Sequence, residues 1–114
     1  MTGKQLNGIW VPQPTTLARY GLTMREWRNM VEEQEYACGC CKKKPNSGKL
    51  FIDHEHVRGW KHMPSKNRKL YVRGLACYVC NRFILNHRVS AQLLRHGAEY
   101  LERFEMVRPA GEED

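Results

Sequence analysis

Two identically spaced cysteine pairs constrain this chain more than any other feature. Cys38 and Cys41 form one C-x2-C and Cys77 and Cys80 form a second, with thirty-five residues between them. Two thiolates at this spacing grip one tetrahedral ion from a tight turn, and two such knuckles complete a four-cysteine site. Four soft sulfurs in a tetrahedron suit zinc. The chain has 114 residues, enough for one domain with a limited core. A structural zinc, with apparent binding energy of roughly 10–16 kcal/mol in small peptides, would supply the missing staple. A redox C-x2-C needs no second copy flanking a hairpin. Cys40 is left over; it could replace Cys38 or Cys41 as a ligand, but C-x-C geometry is less usual, so it reads as a spare thiol.

Composition narrows the class. The opening MTGKQLNGIW has no apolar signal core, and no run approaches the ~18 apolar residues of a membrane span. A cytoplasmic chain without membrane contact is expected, in which cysteines serve metals rather than disulfides. The net charge of +7 is unevenly spread. Residues 42–88 carry twelve Lys and Arg against two acids, Asp53 and Glu55, so this segment holds more than the whole excess. Such a basic face suits a phosphate backbone or another acidic surface, although a solvated lysine-rich surface would look the same by charge alone.

Along the chain, residues 1–19 read as an arm, because Pro12 and Pro14 interrupt regular structure and Gly3 and Gly8 loosen it. Ile9, Trp10 and Val11 would pack it on the domain or on a second subunit. Thr23 and Glu26 form a T-x-x-E capping box at the head of a helix running to about Tyr36. Leu50, Phe51 and Ile52 open a strand leading into Asp53-His54-Glu55-His56. The stretch 59–69 reads as a long hairpin loop, Leu70-Tyr71-Val72 as the return strand, and Gly74 as its break. A short helix from Asn81 to about His87 follows. A last helix starts near Ser90, with Leu93, Leu94, Gly97, Leu101 and Phe104 at helical spacing. The domain proper is expected at 20–105, with an acidic tail at 106–114.

Chemistry concentrates between and just after the knuckles. Asp53 and Asn81 offer a carboxylate and an amide oxygen, which suit a hard divalent cation such as Mg²⁺. His54 offers an imidazole able to take a proton from water near neutral pH. Taken singly, each has a bland role as a solvated side chain or a cap. In a regular strand Asp53 and His54 face opposite sides, so sharing one pocket requires that the strand end or bulge there. Arg58, Lys61, Lys66, Arg68, Lys69 and Arg73 are the candidate phosphate contacts, which position a duplex rather than read it.

The order C-x2-C, then D-H-E-H, then V-R-G-L-A-C-x2-C-N resembles the recombination endonuclease VII family, a branch of the HNH or ββα-metal nucleases. Leu22-Thr23, Cys38, Cys41, Asp53, His54, His56, Val72-Arg73-Gly74-Leu75, Cys77, Cys80, Asn81 and the later Gly97-Ala98-Glu99-Tyr100-Leu101-Glu102 carry the likeness, which spans about Tyr20 to Phe104. The resemblance implies an α+β fold: a zinc-stapled ββα-metal (HNH) core with flanking N- and C-terminal helices. It implies that Asp53 and Asn81 hold one catalytic Mg²⁺ or Mn²⁺. His54 would be the general base for in-line attack on a DNA phosphodiester, leaving 5′-phosphate products, and His56 would assist near the scissile phosphate. It also points to bacteriophages, hence host cytoplasm, and to dimers acting on branched DNA. This chain ends soon after its last helix, carries the extra Cys40 and has its own hairpin loop around His62 and Pro64. The nuclease expectation stands without these, and junction specificity loses its basis. The rival expectation is a non-catalytic zinc-knuckle module that binds nucleic acid, which would have no need of Asp53, His54 and Asn81 together.

Overall fold

A computed structural model describes residues 3–107. The chain runs through a short hairpin, β1 (Gln5–Leu6) and β2 (Ile9–Trp10), then α1 (Pro14–Arg19) and α2 (Met24–Glu33). After the first cysteine knuckle come β3 (Phe51–His54), a helical turn (Trp60–His62), α3 (Ser65–Arg68), a second turn (Lys69–Tyr71) and β4 (Val72–Ala76). A wide helical turn (Cys80–Ile84) follows the second knuckle, and α4 (Ala91–Val107) closes the described chain. This is the expected α+β class, with the paired strands and the wide turn forming the ββα unit. Among the described residues no helix is long and apolar enough to cross a membrane. The expected acidic tail lies outside the described residues from 108 onward.

Within residues 3–19, Ile9 and Leu17 join the core, with Leu6 and Val11 packed against it. Asn7 and Gly8 both have positive φ, 51° and 84°, which is the type I′ hairpin turn that an Asn-Gly pair favours. Pro14 sits in the first turn of α1, where a missing N–H costs nothing. Ile9 and Leu17 are buried with Trp27, Val31, Ile52 and Leu75. The Trp10 N–H donates to the Gly48 carbonyl at 2.8 Å, tying the hairpin to the basic loop. Gly48 has φ +77°, and a Cβ there would come within 2.7 Å of the Gly8 carbonyl, so glycine is required.

Helix α2 begins at the expected capping box. The Glu26 N–H donates to Thr23 Oγ1 at 3.1 Å, and the Thr23 N–H donates to Glu26 Oε1 at 2.9 Å. Trp27 and Val31 are wholly buried one turn apart. The helix stops at Glu33, short of Tyr36, because Glu35 and Tyr36 both turn left-handed, φ 56° and 61°. Non-glycine residues resist that conformation, at about 1–3 kcal/mol each. Packing around Gln34 holds them there. Its Nε2 donates to the carbonyls of Ala37 and Leu75 at 2.8 and 2.9 Å, and its Oε1 accepts from the Leu75 N–H at 2.9 Å. One side-chain amide thus fastens the end of α2 to β4.

The β3–β4 hairpin is antiparallel, pairing Phe51 with Ala76, Ile52 with Leu75, Asp53 with Gly74, and then His54 with Val72. The return strand therefore lies later than expected and runs through Gly74. Leu75 and Ala76 are the buried pair that sets this register, while Leu70 is exposed. Residues 59–69 are not an irregular loop either, since two helical turns and α3 fill most of them. Gly21, φ +72°, lets α3 approach the end of α1; a Cβ there would collide with the Ser65 carbonyl. Ser90 caps α4 through a hydrogen bond from the Leu93 N–H at 3.0 Å. Every residue of α4 is exposed, including Leu93, Leu94, Leu101 and Phe104. The radius of gyration is 17.1 Å, against about 13 Å for a rounded chain of this length.

Candidate functional site

The four cysteines predicted as ligands converge. The Sγ atoms of Cys38, Cys41, Cys77 and Cys80 all lie within 4.8 Å of one another. Cys41 and Cys77 sulfurs are 3.9 Å apart. That is far longer than a disulfide and close to the ~3.8 Å edge of a tetrahedron built on 2.3 Å zinc–sulfur bonds. Cys40 stands outside the set of four, although its N–H donates to Cys38 Sγ at 3.3 Å. Cys41 and Cys77 N–H groups donate to the same sulfur at 3.4 and 3.3 Å. Burial pushes the Cys38 thiol up, but these three backbone donors outweigh it and bring it down to about 6. Cys80 is driven the other way, first by burial and then by the neighbouring thiols. Four crowded sulfurs without a counter-charge cannot all ionise, and a dication among them reverses that balance. Donor type, spacing and the three backbone N–H groups that favour charge on Cys38 Sγ fit zinc.

The knuckles hold two elements together. The Gly39 N–H donates to the Leu75 carbonyl at 2.9 Å, joining the first knuckle to β4. The Asn81 N–H donates to the Cys77 carbonyl at 2.9 Å, so the turn carrying Asn81 grows directly out of the second knuckle. Asp53 and His54 stand at the end of β3.

The register shifts between Asp53 and His54, but the bulge is on the opposite strand, so β3 keeps its alternation and the two side chains do not come to one side. The extra residue is on β4 and is Arg73. Its Nε donates to Asp53 Oδ2 at 2.8 Å and its Nη2 to Oδ1 at 3.0 Å, a two-pronged ion pair on a buried carboxylate. Asp53 in turn raises the Arg73 pKa. The same Nη2 reaches the Leu85 carbonyl, at 3.5 Å, beyond the wide turn. Asp53 and Arg73 line a cleft of about 460 Å³ with Leu85, Val89 and Ser90. His54 opens instead on a separate cleft of about 340 Å³, with His56, Val57, Gly59, Trp60, Lys61 and His62. The bulge aims Arg73 at Asp53 and leaves the acid and the imidazole on different clefts.

The His54 ring stacks on Trp60, centroids 4.2 Å apart and planes 20° apart. His56 and Tyr20 lie 4.9 and 5.7 Å from it. Burial is the main cause that lowers the His54 pKa; the His56 charge lowers it further, Asp53 opposes and Arg73 lowers it again. Among the candidate phosphate contacts, Arg58, Lys61 and Lys66 are exposed. Arg68 donates to the Arg19 and Lys61 carbonyls at 2.9 and 2.7 Å. Lys69 pairs with Glu26, and Arg73 pairs with Asp53.

Residues 13–103 match the profile of the recombination endonuclease VII family. The chain belongs to this family. It is also similar to the Gene 59 protein of Mycobacterium phage D29, 33% identical over 98 residues, which are 84% of this chain and 53% of that protein. The Gene 59 protein of Mycobacterium phage L5 is 32% identical over 98 residues, with the same coverage. The chain spans about half the length of the curated relatives it matches. No solved structure matches it significantly.

In this endonuclease VII family chain, three contributors escaped the sequence argument. Gln34 falls inside the helix expected to run to about Tyr36 and carries no distinguishing signal of its own. Trp60 lay in an assumed loop. Arg73 was grouped with the phosphate-binding cations, although its place opposite Asp53 in a hairpin would have suggested a cross-strand pair. The metal centre makes a direct prediction: elemental analysis finds one zinc per chain. Cys80→Ser loses it and Cys40→Ser keeps it. Retention of zinc by Cys80→Ser together with loss by Cys40→Ser would reassign the ligands.

Proposed function

We propose that this chain is a metal-dependent DNA endonuclease of the HNH type that hydrolyses phosphodiester bonds and leaves 5′ phosphates. His54 acts as general base, His56 assists near the scissile phosphate, and Asp53 and Asn81 hold one Mg²⁺ or Mn²⁺. The observation carrying this reading is that the Asp53-His54 pair and Asn81 sit on the two arms that the cysteine cluster clamps. The donor set fits a hard cation: one buried carboxylate and one amide oxygen. Asp53 oxygens keep lone pairs beyond those that Arg73 uses. The cation, when bound, supplies positive charge to the phosphate and to the departing 3′ oxygen. The chain's own side chains do the rest. His54 removes the proton from the attacking water through a ring nitrogen. Arg73 holds the Asp53 carboxylate in place while adding positive charge beside it. Arg58, Lys61 and Lys66, exposed and in no ion pair among the described residues, meet the DNA backbone, with Arg68, Lys69 and Arg73 behind them. The workplace is the host cytoplasm.

We further read α4 as the seam of a homodimer. Leu93, Leu94, Leu101 and Phe104 lie uncovered on one 17-residue helix, more apolar surface than a lone chain usually leaves in water.

Supercoiled-plasmid cleavage tests the chemistry. The expected outcome is cutting with Mg²⁺, none with EDTA, and a loss of about 10²–10⁴-fold in His54→Ala. Failure to cut under any divalent metal would leave the non-catalytic zinc-knuckle binder as the better reading. DNA affinity measured across added salt should fall steeply, and replacing Lys61 and Lys66 together should flatten the slope of log K by about 1.8. An unaltered slope would move the binding face elsewhere. Light scattering should give twice the chain mass for wild type and the single mass for Leu101→Glu; a monomeric wild type refutes the seam.

A further inference from the structure

Building on the reading of His54 as base, we propose that Trp60 is a positioning residue that holds the His54 imidazole in its working plane. A base must aim one ring nitrogen at water, yet the last torsion of a histidine side chain is soft and broad. The usual restraint is a hydrogen bond to the second ring nitrogen. Among the described residues no hydrogen bond engages the His54 ring. Its plane is set by packing instead: the indole lies 4.2 Å away and 20° from parallel. Tyr20 closes one side, 5.7 Å from His54 and 5.5 Å from Trp60. Stacking of this kind fixes a plane while leaving both nitrogens open at the ring edge, as a proton acceptor requires.

The indole is itself anchored. Gly59, φ +81°, turns the chain into the helical turn that Trp60 begins. The Trp60 carbonyl accepts from the Met63 N–H at 3.2 Å. The Arg68 guanidinium lies 4.7 Å from the indole centroid. That guanidinium is fastened to the Arg19 and Lys61 carbonyls, which belong to α1 and to the turn itself. The order of dependence runs from the helical backbone through Arg68 to Trp60 and on to the base. The segment between the two strands of the hairpin therefore does more than connect them.

The test uses the full zinc-loaded chain as wild type, Trp60→Leu, Trp60→Phe and His54→Ala. In proton–carbon NMR the His54 ring signals are identified by their absence in His54→Ala. They are expected upfield in wild type from the indole ring current, at ordinary positions in Trp60→Leu, and between the two in Trp60→Phe. In plasmid cleavage Trp60→Leu should lose kcat by about 10–100-fold, the scale of a misplaced catalytic group. Its KM should stay within about twofold, and Trp60→Phe should recover much of the rate. Unmoved His54 signals in Trp60→Leu overturn the proposal, and so does a moved signal with unchanged kcat. If Trp60→Leu fails to fold, Trp60→Phe decides: a partial shift with a partial loss of kcat supports the proposal, and wild-type values in both refute it. Wild-type cutting by His54→Ala would instead overturn the base reading, while the ring-current arm would still report the stack.

Discussion

Convergence of four cysteine sulfurs on one point, an arrangement suited to a single dication, is the constraint on which the rest of this structure depends. The apolar core is small, with six buried side chains in its main cluster. It joins the N-terminal hairpin, two helices and one strand pair. The second cluster is built mostly from the cysteines themselves, Cys38 and Cys80 with Ala76. Without an ion, that cluster is a crowd of polarisable sulfurs whose ionisations oppose one another. With one, it fixes the end of the first knuckle against the wide turn that carries Asn81, across thirty-five intervening residues. A hairpin alone is marginal in water, so the β3–β4 pair takes its rigidity from this clamp and from the helix behind it.

The clamp imposes a cost nearby. Glu35 and Tyr36 adopt left-handed backbone that neither residue favours, and Lys42 does the same after the first knuckle, φ 67°. These distortions bracket Cys38 and Cys41 and aim both sulfurs inward. The compensation is local: Gln34 satisfies backbone groups of Ala37 and Leu75, and Cys38 Sγ collects three N–H donors. Strain held in place by saturated hydrogen bonding is how a short chain builds a rigid metal knuckle from ordinary residues.

The sequence carried the metal centre well because two spacings of the same type leave few alternatives. The capping box at Thr23 and the Ser90 start of α4 were legible because both are local exchanges of side chain for backbone. What was missed depends on contacts across long separations. Leu70-Tyr71-Val72 has stronger strand character than Gly74-Leu75-Ala76, yet burial of Leu75 against Ile52 decides the register. Asn7-Gly8 carried a hairpin signal that the flanking prolines obscured. Arg73 looked like a free cation because its charge is visible in the sequence while the bulge that turns it onto Asp53 is not. The alternation of a strand did give fair warning that Asp53 and His54 would part company, and in the folded chain they open on different clefts.

Leu75 pairs with Ile52 in the ladder but directs its own N–H and carbonyl outward, where Gln34 takes both. A two-stranded sheet has bare rims that can template adhesion to a neighbouring molecule's backbone. Here a glutamine amide, a chemical copy of the peptide group, occupies the rim where another polypeptide would dock. The fastening between α2 and β4 thereby also shields this rim from pairing with a stray strand.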